Sequence, residues 1–422
     1  MKRNIKSFIC IVLLAAFAMT ASGCKPGGTG TARTGTVDLM KGITAQHMSF
    51  TPAAPEKAQT DRAAGFGVDL FKACFDGENN CLVSPLSVLS ALSMTVNGAK
   101  GETLEAMEKT LGMTADELNR FYADYCTALP SGDKYKLNLA NSIWFTSDPR
   151  LTVERSFLQT NADYYGAEIY KADFDDQTLS DINRWVKEKT DGMIPEILDR
   201  IPPEAVMYLI NALAFDAEWE TVYRENEVYT RDFTLENGEK REAEYMYSEH
   251  EAYIGDENAD GFVKYYSGRK YAFAALLPKE GMTVAEYVKQ LDGETLMKLL
   301  AGAGSESAAA VLPKFETKFD IELSKVLTAM GMGIAFDAEA ADFSGLGVSS
   351  FGNIRISRVI HKTFISVDER GTKAGAATAV EMTDEAFYLE KEVVLNRPFV
   401  YMLIDCETNL PFFIGTMMDV EG

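Results

Sequence analysis

The 422 residues hold 63 Asp and Glu against 41 Lys and Arg, a formal charge of −22 at pH 7. So acidic a surface repels phosphate backbones and heparin-like polyanions, which argues against nucleic acid and polyanion partners; solubility alone accounts for the charge. Three histidines are present, His47, His250 and His361, and His250-Glu251 has no second histidine at helical spacing. With no Gly-x-Ser-x-Gly elbow and no Gly-rich Lys-Ser/Thr loop either, the sequence offers no catalytic centre, no metal-ligand set and no cofactor site.

The chain opens with Lys2, Arg3 and Lys6, an apolar run from Phe8 to Met19, and Ala21-Ser22-Gly23 before Cys24. That order of charged, apolar and small residues reads as a bacterial secretory signal over residues 1–23, its apolar run too short to span a bilayer permanently. Its removal takes away three positive and no negative charges, moving the balance from −22 to −25. Cys24 is the expected lipid-attachment site, although Ala21 stands where such sites most often carry Leu. The Gly-, Thr-, Pro- and Ala-rich residues 24–60 then read as a flexible tether, so that the membrane is met only through a lipid anchor and the protein is extracytoplasmic.

From Asp61 to Gly422 no Pro/Gly/Ser linker intervenes, and strong strand patterns alternate with amphipathic helices, which predicts one large mixed domain over 61–422. Ser84-Pro85 reads as a helix N-cap with proline at the first helical position, Ser87 lying about one turn on. Ala301 to Ala310 is a short low-complexity loop leading into a strand at Leu312. After Cys10 leaves with the signal, Cys74, Cys81, Cys126 and Cys406 remain in the domain. Cys74 and Cys81 can close a small loop in an oxidising compartment, but apolar neighbours and a domain of this size favour buried thiols.

Between two strand patterns, Val359–Asp368 and Asn396–Asp405, lies the most informative segment of the chain. Alternation from Thr372 puts Thr372, Ala374, Ala376, Thr378, Val380 and Met382 on one face, all small or apolar. Lys373, Gly375, Ala377, Ala379, Glu381 and Thr383 take the other. Such side chains fit between two existing strands without displacing a core, and Gly371 gives the backbone freedom of a hinge. A surface linker is the alternative reading, and the strand-like flanks weigh against it.

Here the sequence resembles the serpin family. Its hinge pattern is matched by Glu369, Gly371, Thr372, Ala374, Ala376, Ala377 and Thr378, and its closing Asn-x-Pro-Phe by Asn396, Pro398 and Phe399; Lys373 departs from the usual Glu, on the outward face. The resemblance continues through Asn80–Ser87 and Asn97–Thr103, Ile182–Ile194, Leu209–Trp219, Leu312–Phe315, Ala341–Gly345 and Pro411–Gly415, in family order. It implies an α+β serpin fold: a large, mostly antiparallel central sheet, further sheets, surrounding helices and an exposed reactive-centre loop.

By the same resemblance, Ser84, Ser87, Asn183 and His361 match the shutter, a buried hydrogen-bonded cluster beneath the central sheet, and Trp219 marks the breach where the loop enters. The implied function is suicide inhibition of a serine protease by a monomer whose loop is cleaved and then inserts. Seventeen residues counted inclusively from Glu369 end at Glu385, whereas counting back nine from Asn396 reaches Phe387. The hinge-side count is preferred because the inserting length is mechanically constrained, which places the scissile bond at Glu385–Ala386. No Lys or Arg lies between Thr378 and Glu390, so an elastase-like, subtilisin-like or Glu-specific target is expected ahead of a trypsin-like one. A non-inhibitory serpin and, from the signal and tether alone, a lipid-anchored solute-binding protein are the other readings.

Overall fold

The computed structural model describes residues 35–46, 55–126, 128–202, 205–350, 352–372 and 391–421. In chain order these form β1 (Val37–Asp38), α1 (Lys57–Cys74), β2 (Cys81–Val83), α2 (Pro85–Val96), α3 (Gly101–Leu111), α4 (Ala115–Phe121), β3 (Tyr135–Thr146), β4 (Leu151–Val153), α5 (Arg155–Tyr165), β5 (Glu168–Ala172), α6 (Asp176–Lys189) and β6 (Met207–Glu218). They continue as β7 (Val228–Thr234), β8 (Lys240–Gly255), β9 (Ala259–Tyr265), β10 (Tyr271–Pro278), α7 (Val284–Gln290), α8 (Gly293–Ala301), β11 (Ser307–Pro313), β12 (Phe315–Glu322), α9 (Ser324–Leu327), β13 (Gly347–Ser349), β14 (Arg358–Val367), β15 (Gly371–Thr372), β16 (Glu392–Val394), β17 (Phe399–Asp405) and β18 (Pro411–Met417).

Two sheets carry the architecture. One has seven strands in the order β1-β5-β3-β6-β15-β14-β12; the other runs β16-β11-β8-β9-β10-β17-β18-β2, with β7 paired to β8. Pairing is mostly antiparallel, the exceptions being β3 with β5, β6 with β14 and β11 with β16. The strands β10, β17 and β18 are buried along their whole length, as continuous apolar runs such as Tyr271-Ala-Phe-Ala-Ala-Leu-Leu demand.

Helices cover both faces of the seven-stranded sheet. On one face, Ile182, Trp185 and Val186 of α6 share a cluster with Trp144, Tyr208, Ile210 and Ile360 of the sheet. On the other, α2 is buried on every side, including its polar residues. Ser90, Ser93 and Thr95 make that possible by returning their hydroxyl protons to the carbonyls of Leu86, Leu89 and Ala91 one turn earlier, at 2.7, 2.6 and 3.1 Å.

Part of the expected tether is instead built into the domain. Val37 and Asp38 pair antiparallel with Lys171 and Tyr170 of β5, and the Leu39 amide donates to the Ile169 carbonyl at 2.8 Å. Thr36 donates to Asp181 at 2.6 Å, the Gln46 amide to Asp163 at 2.7 Å, and α1 starts at Lys57, before the expected boundary. The open edge of β5 supplies unpaired backbone groups that this stretch satisfies, a partner that local composition cannot register. The remainder of the 24–60 segment, apart from residues 55–60, falls outside the described residues, as do the signal and Cys24.

Candidate functional site: a hinge lodged in the central sheet

Asp368, Glu369, Arg370 and Gly371 make a tight turn. The Asp368 carboxylate accepts from the amides of Arg370 and Gly371 at 2.8 and 3.1 Å, and the Asp368 amide donates to the Gly371 carbonyl at 3.0 Å. This Asp-centred turn reverses the chain from β14 into β15, which lies between β14 and β6: Thr372 pairs with Val367 on one side and Ala217 on the other, and Gly371 pairs with Glu218. A Cβ at position 371 would sit 1.9 Å from the Ala217 carbonyl oxygen, so close approach to β6 requires glycine there. Thr372 is 2 % exposed and its hydroxyl meets that of Tyr266, as expected for the inward face of the alternation.

Away from this short strand the two neighbours come together. Among the described residues, the direct ladder between β6 and β14 covers Tyr208–Ile210 against Arg358–Ile360, and β15 fills the far end. From Asn211 to Asp216 and from His361 to Ser366 the facing edges therefore have room for the continuation of β15. Ala374, Ala376 and Thr378 of the hinge, and the reactive-site residues Glu385, Ala386 and Phe387, lie outside the described residues.

The turn is held from below by aromatic residues. The Trp219 amide donates to the Arg370 carbonyl at 2.8 Å, its indole N–H to the Asp368 carbonyl at 2.8 Å, and the Tyr223 amide to the Glu369 carbonyl at 3.0 Å. Trp219 is fully buried and stacks on Tyr266 with ring centroids 4.4 Å apart and planes 6° from parallel. Glu369 adds an ion pair to Lys314 at 2.8 Å, which holds its carboxyl below the ordinary range. The pair is partly exposed, so its role is orientation more than stability. Trp219 thus lies directly against the turn that leads into β15.

Ser84 and His361 come together as expected, with a difference in detail. Ser84 occupies the N-cap of α2 and Pro85 its first position, but the Ser84 hydroxyl caps no amide and has no hydrogen-bond partner. Its backbone amide donates instead to Nε2 of His361 at 3.0 Å, which assigns the ring proton to Nδ1. Thr363, two residues along the same face, donates to the Leu82 carbonyl at 2.7 Å, so β14 is tied to β2 and the start of α2 at two points. Ser87 is buried within α2.

Asn183 does not belong to this cluster. Its side chain accepts from the amides of Ile197 and Leu198 at 2.9 and 3.0 Å and donates to the Leu198 carbonyl at 2.8 Å, closing the segment that follows α6. The resemblance of the Ile182–Ile194 segment made Asn183 look like a match, but its helix lies on the opposite face of the sheet from α2. The asparagine level with His361 is Asn211: the parallel register Ile210 to Ile360 sets those two residues next across the opening. Asn211 is buried and donates to the Asn141 side chain, while its own Oδ1 has no partner. A single polar residue inside the apolar run Leu209-Ile210-Asn211-Ala212-Leu213 was the signal available in the sequence.

Burial lowers the His361 pKa to about 4 from 6.5. Because the folded value lies below the unfolded one, the unfolded chain binds the extra proton first as pH falls, and stability is lost between about pH 6.5 and 4. The contribution is on the order of 3 kcal/mol, fully present above pH 6.5. Denaturant titrations from pH 7 to 4 will show wild type losing that much more stability than His361→Gln; equal losses would remove His361 as the cause.

Cys74, Cys81, Cys126 and Cys406 are free thiols, of which Cys81 is fully buried and the others half-buried. Burial pushes the Cys74 and Cys406 thiols up to about 12, so neither is reactive at neutral pH. No group of metal-binding side chains occurs among the described residues.

A profile of the serpin family, described as serpin (serine protease inhibitor), matches residues 61–420, and the chain belongs to that family. The crystal structure of a thermophilic serpin, tengpin, in the native state superposes with a TM-score of 0.87 at 47% identity, covering 91% of this chain and 100% of that one. Tengpin in the latent state gives 0.77 at 49% identity over 86% and 98%. An uncharacterized serpin-like protein of Thermococcus kodakarensis is 31% identical, covering 86% of each chain, and leukocyte elastase inhibitor A of Mus musculus is 28% identical over 83% of this chain and 96% of that one. The mixed α+β serpin fold read from the sequence is thereby established, and at the level of the family so is protease inhibition.

Proposed function

We propose that this chain is a suicide inhibitor of an extracellular serine protease, held at a cell surface or released by a lipid-type secretory route. The observation that carries the reading is β15: two residues of the hinge already occupy the slot between β6 and β14, and among the described residues those two strands are joined to each other only at Tyr208–Ile210 against Arg358–Ile360. Cleavage of the loop frees its N-terminal side to extend that strand, each new ladder bond adding about 1 kcal/mol net. A protease still esterified to the loop is carried along and loses its active-site geometry. Loop insertion by serpins is a known case of strand addition; what this chain adds is a hinge whose first residues fit the slot.

No catalytic residue of this chain enters the scheme; the reacting serine is the protease's. Mixing the protein with elastase-like, subtilisin-like and Glu-specific proteases tests it, the expected product being a covalent complex that survives denaturant. Mass spectrometry of the peptide released from that complex will locate the cut at Glu385–Ala386 or one residue on. A cut at Lys391 or beyond would overturn the assignment, and a loop cleaved by every protease without trapping would favour the non-inhibitory reading.

A further inference from the structure

Lys264 of β9 lies deep in the protein, its side chain 3% exposed. Its ammonium pairs with Glu251 at 2.7 Å, each of the two residues lying one position beyond the Ala252–Val263 pair that ends the β8–β9 ladder, and sits over two rings, Tyr223 at 4.4 Å and Trp219 at 5.6 Å from the centroids. Desolvation opposes the charge, yet Tyr223 and Glu251 more than offset it and hold the group above its ordinary pKa. Those two rings belong to the residues whose donors hold the Asp368, Glu369 and Arg370 carbonyls, the three residues before Gly371. A buried charge this close to both rings fixes them relative to each other, because any shift that parts it from a ring or from Glu251 strips its compensation.

We infer that Lys264, fixed by Glu251, is a positioning residue for loop insertion: it sets the Trp219–Tyr223 clamp that aims the turn at the slot. It acts through the clamp. The inference deepens the inhibitory reading and rests on it for its functional consequence, but the clamp itself is read independently.

The test is amide hydrogen exchange combined with inhibition stoichiometry in Lys264→Met/Glu251→Gln, which removes both charges together. The Trp219 and Tyr223 amides, which donate to the turn, are expected to exchange at least tenfold faster while those of β10 and β17 keep their rates, and more inhibitor is consumed per protease trapped. Lys264→Arg, which keeps a cation for both rings and Glu251, is expected to stay close to wild type at the same two amides and serves if the double variant does not fold. Unchanged exchange at Trp219 and Tyr223, or one uniform acceleration throughout the domain, would overturn the inference. Accelerated exchange at these two amides in a protein that traps no protease even as wild type would uphold the clamp and sink the inhibitory reading instead.

Discussion

Thr372→Arg will convert the protein from a trap into a substrate. Thr372 is 2% exposed, flanked by Val367 and Ala217 and facing the Tyr266 hydroxyl, with no carboxylate among these neighbours. An arginine there must either bury an unpaired guanidinium, at a cost on the order of 3–5 kcal/mol, or withdraw β15 from the sheet. Both routes slow the insertion that competes with hydrolysis of the acyl-enzyme, so the moles of inhibitor consumed per protease inactivated should rise several-fold. The loop itself will still be cut. Thr372→Ser, which keeps the hydroxyl, is expected to behave as wild type. Unchanged stoichiometry in the arginine variant would mean that the inward face has been assigned to the wrong set of residues.

Cutting the intact loop with a non-target protease should give the second large effect, a sharp rise in thermal midpoint. Thirteen residues from Lys373 to Glu385 are available to extend β15, and bonds to both β6 and β14 at about 1 kcal/mol each bring the gain to the order of 10 kcal/mol. For a domain of this size that is a shift on the order of 20 °C. Scanning calorimetry of intact and cleaved protein reads it directly, and equal midpoints would favour a non-inhibitory serpin.

What the sequence made legible here follows from the range of the signals. Local alternation and turn chemistry are short-range, so the inward place of Thr372, the need for Gly371 and the N-cap position of Ser84 could all be read from neighbouring residues. The clamp could not. Tyr223, Lys264 and Tyr266 come from segments that meet the hinge only in the folded sheet, and a lone lysine in a strand reads as a solvated side chain until its burial is seen. Asn183 shows the converse error: its helix carried the right residue type, but only the parallel register of β6 against β14 sets Asn211 beside His361. Docking of Val37–Asp38 was invisible for the same reason, since an edge strand recruits a partner by its unpaired backbone and not by its side chains.

The central claim is that the space between β6 and β14 is the acceptor for the continuation of β15, and amide exchange before and after loop cleavage tests it most directly. In the intact protein the gap-facing amides of Asn211–Asp216 and His361–Ser366 should exchange faster than those of Tyr208–Ile210, where β6 and β14 are joined. After cleavage they should become protected by orders of magnitude, to the level of the surrounding ladder. Gap-facing amides that stay unprotected once the loop is cut would contradict the account.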